Sequence, residues 1–182
     1  MNAPQSQYST PEPCNSFHAE EGDEDALVIS IDDKAWTGAC GDVEILCRAA
    51  AQAVMEARKT QAGVTIVLSN NARMRALNYQ FRGRDQPTNV LSFPAVRNYA
   101  VDSALSLGDV VLGLETVKSE CQKYGCSLDE HLTHLVVHGC LHLLGFDHST
   151  DAEATRMEGL ETTILKRLGV PDPYQKEPED MQ

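Results

Sequence analysis

The segment 127–148 constrains this chain's fold more tightly than any other. Ser127 and Glu130 make an S-x-x-E capping box, whose hydroxyl and carboxylate satisfy N–H groups left free at a helix start. Gly145 suits the left-handed backbone position just past a helix end, where any side chain would be strained. A helix over 128–144 follows. Five of the six histidines lie between His131 and His148, and along this helix they are not scattered. At 100° per residue His131, His134, His138 and His142 fall at about 0°, 300°, 340° and 20°, a single narrow stripe.

The rest of the chain alternates between strand-like and helix-like periods. Residues 27–31 form an apolar run of strand length, while Ile45, Leu46, Ala49, Ala50, Ala53 and Val54 recur at helical spacing within 42–59. Residues 64–69 are short and β-branched, Met74, Leu77 and Phe81 share a stripe within 71–81, and 89–93 and 108–114 again read as strands before a helix over 115–123. Thr150 and Glu153 repeat the capping box. Met157, Leu160, Ile164 and Leu168 then share one stripe, and Gly169 with Pro171 stops the helix. The order β-α-β-α-β-β-α-α-α, with no internal repeat, predicts an α/β fold: a single small domain in which a mixed four-stranded sheet packs with about five helices, and a metal site stands at the end of the long central helix.

Composition narrows the class. A chain of 182 residues with 42% hydrophobic and 23% charged residues suits one globular domain with short extensions. The longest apolar stretch, 135–146, is interrupted by His138, Gly139, His142 and Gly145, far short of the ~18–20 apolar residues of a membrane-spanning helix, so no membrane association is expected. The first basic residue is Lys34, which leaves no basic leader, and a cytoplasmic location is the expectation. Cys14, Cys40, Cys47, Cys121, Cys126 and Cys140 form no C-x-x-C pair and read as small core residues. The net charge of −12 argues against a general nucleic-acid binder, but the ends hold most of it. Residues 1–26 carry six acids and no base, whereas 27–170 carry 17 acids against 14 bases. The expected organisation is a disordered acidic tail over 1–26, a catalytic domain over 27–170 and an acidic C-terminal tail over 171–182.

Histidines four apart stand one helical turn apart, close enough for both rings to reach one ion, and His138 with His142 is such a pair. The turn at Gly145 brings His148 back as a third ligand. His134 with His138 is a competing pair, and His148 decides against it because a chain reversing at Gly145 meets the His142 end first. His131 and His134 then line the cleft or orient ligands. Cys140 sits 200° from His138 and belongs to the core. The alternative is that these are ordinary histidines satisfied by hydrogen bonds. Three neutral imidazoles with an open fourth position describe a catalytic zinc, one per chain, rather than a structural one. Zinc lowers the pKa of bound water from 15.7 to about 7, which points to hydrolysis.

The spacing H-x-x-x-H-x-x-G-x-x-H is also that of metzincin peptidases. Those enzymes use a Glu directly after the first His as general base, and Gly139 stands there instead. Cleavage of an RNA phosphodiester asks mainly for charge stabilisation at phosphorus. Arg73, Arg75, Arg82 and Arg84 lie in a stretch without acids, and the choice for Arg73 and Arg75 between a solvated helix face and substrate contact stays open. Arg82 and Arg84 flank Gly83 at a helix end, where a guanidinium reaches a phosphate in two-point fashion.

Together, Phe81-Arg82-Gly83-Arg84-Asp85-Gln86-Pro87-Thr88-Asn89-Val90-Leu91-Ser92-Phe93-Pro94 and the run from His138 to His148, with Leu107-Gly108-Asp109 and Asp172-Pro173-Tyr174, closely resemble the YbeY family of bacterial rRNA-maturation endoribonucleases. The resemblance spans about 27–174. It implies a single α/β domain, zinc on His138, His142 and His148, and Arg82 as catalytic arginine in an RNA cleft. It further implies action on single-stranded RNA in maturation of the 16S rRNA 3′ end and in ribosome quality control. The implied partners are the small ribosomal subunit, one of its proteins and the GTPase Era. Phe81 and Phe146 depart from the pattern, standing where Tyr is common.

Two other functions remain in view, a metzincin-like metallopeptidase and a non-catalytic ribosome assembly factor with a structural zinc. Among lesser candidates, Thr88, Asn89 and Ser92 are equally suited to RNA contact and to turn or strand-edge roles. Asp147 and Asp109 are placed to orient an imidazole or to cap backbone, and Phe93 to stack a base or to fill the core.

Overall fold

Four short polar side chains start the principal helices. Asp42, Asn70, Ser127 and Thr150 are each extended in backbone and accept N–H groups of the first turn, and the last two complete reciprocal capping boxes with Glu130 and Glu153. The computed structural model describes residues 27–95 and 106–175, so the expected tail over 1–26 and residues 176–182 lie outside the described residues. The elements are β1 (Leu27–Ile31), α1 (Val43–Arg58), β2 (Gly63–Ser69), α2 (Asn71–Arg82), β3 (Val90–Pro94), β4 (Ser106–Gly113), α3 (Leu114–Tyr124), α4 (Leu128–Leu143) and α5 (Asp151–Arg167), with a 3-10 turn at Lys34–Trp36. This is the expected small α/β fold with five helices and a mixed four-stranded sheet.

The sheet order is β1-β2-β4-β3, with β1, β2 and β4 parallel and β3 antiparallel to β4. Ile66, Leu68, Val110 and Leu112 meet the buried residues of α1 and α4, and Trp36 closes that core with its indole N–H donated to the Ser69 carbonyl at 2.8 Å. The second face holds a smaller cluster of Met74, Leu91 and Val111 under α2. Leu132, Leu135, Val136, Cys140 and Leu141 on α4 are buried, so the helix is central, and its histidine stripe lies along the margin of that core.

Helix α4 approaches the sheet closely at Gly139. A Cβ there would lie 2.6 Å from Val110 Cγ1 and 3.2 Å from Ser92 Oγ, and the Ser92 hydroxyl donates to the Gly139 carbonyl at 3.1 Å. The glycine is thus a packing requirement, and its side-chain direction points into β4. No helix among the described residues is long and apolar enough to cross a membrane.

Residues 171–175, at the start of the expected C-terminal tail, fold back on α5. Asp172 accepts from the Thr162 hydroxyl at 3.1 Å and the Tyr174 N–H at 3.0 Å, and the Tyr174 hydroxyl reaches Glu161.

Candidate active site

Local structure delivers three imidazoles to one place. His138 and His142 stand one turn apart near the end of α4, Gly145 takes φ +85°, and a turn held by the Asp147 carboxylate presents His148. In that turn the Asp147 carboxylate accepts from the His148 N–H at 2.8 Å and the Ser149 hydroxyl at 2.6 Å. Asp147 thus caps backbone and orients no imidazole. One nitrogen of each of His138, His142 and His148 lies within 4.8 Å of the other two.

The hydrogen bonds at the opposite ring nitrogens decide what these three atoms offer. The Phe146 carbonyl, which only accepts, takes the His142 Nδ1–H at 3.0 Å. The Glu161 carboxylate takes the His138 Nδ1–H at 2.8 Å. Each neutral ring so tied presents a bare Nε2, and the two Nε2 atoms face each other at 3.0 Å. Two opposed lone pairs repel unless a cation stands between them. Two imidazoles on a tetrahedral zinc, with Zn–N bonds of about 2.0–2.1 Å, hold their nitrogens about 3.3 Å apart, so the donor set fits such an ion. Burial, followed by the neighbouring His138 and His148, lowers the His142 pKa and favours the neutral ligating form.

Glu161 was not anticipated. It is fully buried, accepts from His134 Nε2 at 3.0 Å, from His138 Nδ1 and from the Tyr174 hydroxyl, and ties the helix stripe to α5. Burial pushes its pKa up, but the hydrogen bonds from His134, His138 and Tyr174 outweigh this and bring it down to about 2. A signal existed, because at 100° per residue Glu161 falls about 40° from Met157, inside the apolar stripe of α5. His134, His138 and Glu161 form a second group with metal-compatible spacing, but there Glu161 is already occupied as an acceptor for both rings. His134 accordingly supports Glu161. His131 lies apart from the cleft lining, paired with Glu120 at 2.7 Å.

Arg82 joins the imidazoles in a cleft of about 530 Å³ that Thr88, Asn89, Ser92, Phe146 and Asp147 also line. It is the last residue of α2, and Gly83 at φ +68° ends that helix by donating to Asn78 and Tyr79 carbonyls. Two of its companions are spent on structure: Arg75 grips Asp85 through Nε and Nη2 at 2.6 and 2.7 Å, and Arg73 pairs with Asp32. Arg82 makes no ion pair among the described residues. Asn89 donates to Glu120 and accepts from the Val90 N–H, a strand-edge role, and Ser92 is held by Gly139. Phe93 packs edge-on to Phe81 at 4.9 Å and against the Met74 cluster. Asp109 is exposed on β4 and bonds to none of the three imidazoles. Cys140 is fully buried, with its thiol pKa pushed to about 12 by burial.

A small α/β domain that gathers three imidazoles and Arg82 in an open cleft defines a protein able to hold a metal ion beside an anionic ligand. The family model described as Endoribonuclease YbeY matches residues 15–169. The chain belongs to the YbeY family of endoribonucleases. An Endoribonuclease YbeY of Paramagnetospirillum magneticum is 44% identical over 155 residues, covering 81% of this chain and 94% of the relative. One from Rhizobium etli is 43% identical, covering 82% and 92%. A solution structure of a Thermotoga maritima protein, 21% identical, shares the fold with a TM-score of 0.51 over 82% of this chain and 99% of that one.

Proposed function

We propose that this chain is a zinc-dependent endoribonuclease that cuts single-stranded RNA, with the 16S rRNA 3′ end in ribosome maturation and quality control as its setting. The observation that carries this reading is the pair of bare Nε2 atoms on His138 and His142, with His148 beside them, in one cleft with Arg82. His138, His142 and His148 would hold one zinc per chain. When bound, that ion supplies an acidified water and positive charge at the phosphate. Glu161 and the Phe146 carbonyl fix the tautomers of His138 and His142. Arg82 binds a phosphate oxygen of the scissile link and stabilises charge developing there. Residues 27–170, with the strap to Tyr174, form the catalytic unit. By resemblance to the family, the partners proposed for it are the small subunit, one of its proteins and the GTPase Era, and the location proposed is the cytoplasm.

The metallopeptidase reading lacks its base, because position 139 faces Val110. The reading as an assembly factor with a structural zinc calls for a closed site, and this cluster offers three ligands at an open cleft. The test is incubation of zinc-loaded and metal-stripped protein with single-stranded rRNA and with casein. Cleavage of RNA by the loaded form alone is expected. Casein cleavage would install the peptidase, and inertness toward both would favour the assembly factor.

A further inference from the structure

Phe146 has contacts that the metal cluster does not explain. Its carbonyl holds His142 and the residue forms part of the cleft wall. Outside that wall the guanidinium carbons of Arg58 and Arg156 lie 5.0 and 5.2 Å from the ring centroid. Arg58 comes from the last turn of α1 and Arg156 from the second turn of α5. Both are exposed, and neither joins an ion pair among the described residues. Glu153, one turn before Arg156, is committed to its capping box.

Two like charges gathered at one ring repel each other, and an exposed cation–π contact returns little against that repulsion. The C-terminal dipole of α1 favours Arg58. Arg156 stands near the N-terminal end of α5, where the dipole opposes a cation, so local structure does not account for the pair. A polyanion would, because each guanidinium can take a phosphate oxygen pair while its stem stays packed on Phe146. Arg82 reaches the same cleft from α2, which packs on the face of the sheet opposite α1 and α4.

We propose that Arg58 and Arg156, gathered at Phe146, form a second phosphate-binding site for single-stranded RNA beside the cleft that holds Arg82 and the histidine cluster, so that the strand runs out of the cleft past Phe146. The inference rests on the endoribonuclease reading and extends it from the scissile phosphate to neighbouring ones. In an acidic chain it also supplies positive charge where the substrate needs it.

The test is KM for a single-stranded RNA oligonucleotide at several salt concentrations, measured on the zinc-loaded full-length chain and on its Arg58→Gln/Arg156→Gln variant. Glutamine keeps a packing stem and removes charge. KM is expected to rise about 3- to 10-fold at low salt. The log–log salt dependence should become shallower by about 1.4, at about 0.7 per lost phosphate contact on a single strand. The Arg58→Lys/Arg156→Lys variant should keep most of the wild-type slope. An unchanged slope in the glutamine variant, with or without a lower melting temperature, would overturn the proposal and leave the arginines as cover for Phe146. Absence of RNA cleavage by the wild-type protein would overturn the endoribonuclease reading and this extension with it.

Discussion

Replacing Glu161 by glutamine should weaken metal binding without touching a ligand. Oε2 of Glu161 serves two donors, His134 Nε2 and the Tyr174 hydroxyl, while Oε1 serves His138 Nδ1 alone. An amide keeps its single oxygen where two donors converge and turns its NH2 toward His138. Donor then faces donor across 2.8 Å. The His138 ring relieves this by moving its proton to Nε2, the atom that faces His142, and that tautomer cannot ligate. Loss of such orienting partners commonly costs 10- to 100-fold in metal affinity, or about 1.4–2.7 kcal/mol. Competition against a zinc-chelating dye measures it, with a thermal melt confirming the fold. Tyr174→Phe leaves the His138 contact intact and should cost less. Wild-type zinc affinity in Glu161→Gln would refute the assignment of Glu161 as the group that sets the His138 tautomer.

His148→Ala should lose most bound zinc while His134→Ala retains it, because His134 touches Glu161 rather than the cluster; metal analysis of the purified variants decides, and full occupancy in His148→Ala would break the three-ligand set. Gly139→Ala sets a helix-propensity gain of about 1 kcal/mol against an overpacking cost of about 1–3 kcal/mol from the 2.6 Å approach to Val110, so its melting temperature should fall or stay level. Gly139→Glu should lower it further and gain no peptide cleavage, since the new carboxylate faces the sheet; zinc-dependent proteolysis by that variant would refute this account of position 139.

Most of the architecture was legible because its punctuation is local. Both capping boxes, Gly145 and the stripe on α5 are short-range patterns, and the helix boundaries they implied agree with the structure to within a residue or two. Sheet order β1-β2-β4-β3 was not legible, since strand neighbours are chosen by long-range packing that no window of sequence contains. The same distance hid the partners of the arginine run: Asp32, which occupies Arg73, precedes it by 41 residues and an intervening helix and strand. Gly139 was read for the base it fails to supply, whereas its physical reason is the closeness of β4. Glu161 was passed over because an acid on an apolar stripe is usually discounted, and Tyr174 was read only within the family motif, with no partner assigned to it. Each depends on a contact with α4 that only the folded chain makes.

The central claim is that the imidazole cluster and Arg82 form one catalytic unit acting on RNA. Arg82 reaches the cluster only through the fold, so it can be removed without disturbing a ligand. The decisive measurement is the single-turnover rate of single-stranded RNA cleavage by Arg82→Ala, with zinc content and melting temperature determined on the same preparation. Wild-type zinc and stability are expected, with cleavage slower by about 100- to 1000-fold, the usual cost of removing a well-placed charge stabiliser. Arg82→Lys should recover part of it, since an ammonium lacks the planar two-point contact. Cleavage by Arg82→Ala within a few-fold of the wild-type rate, at full zinc occupancy, would contradict the account.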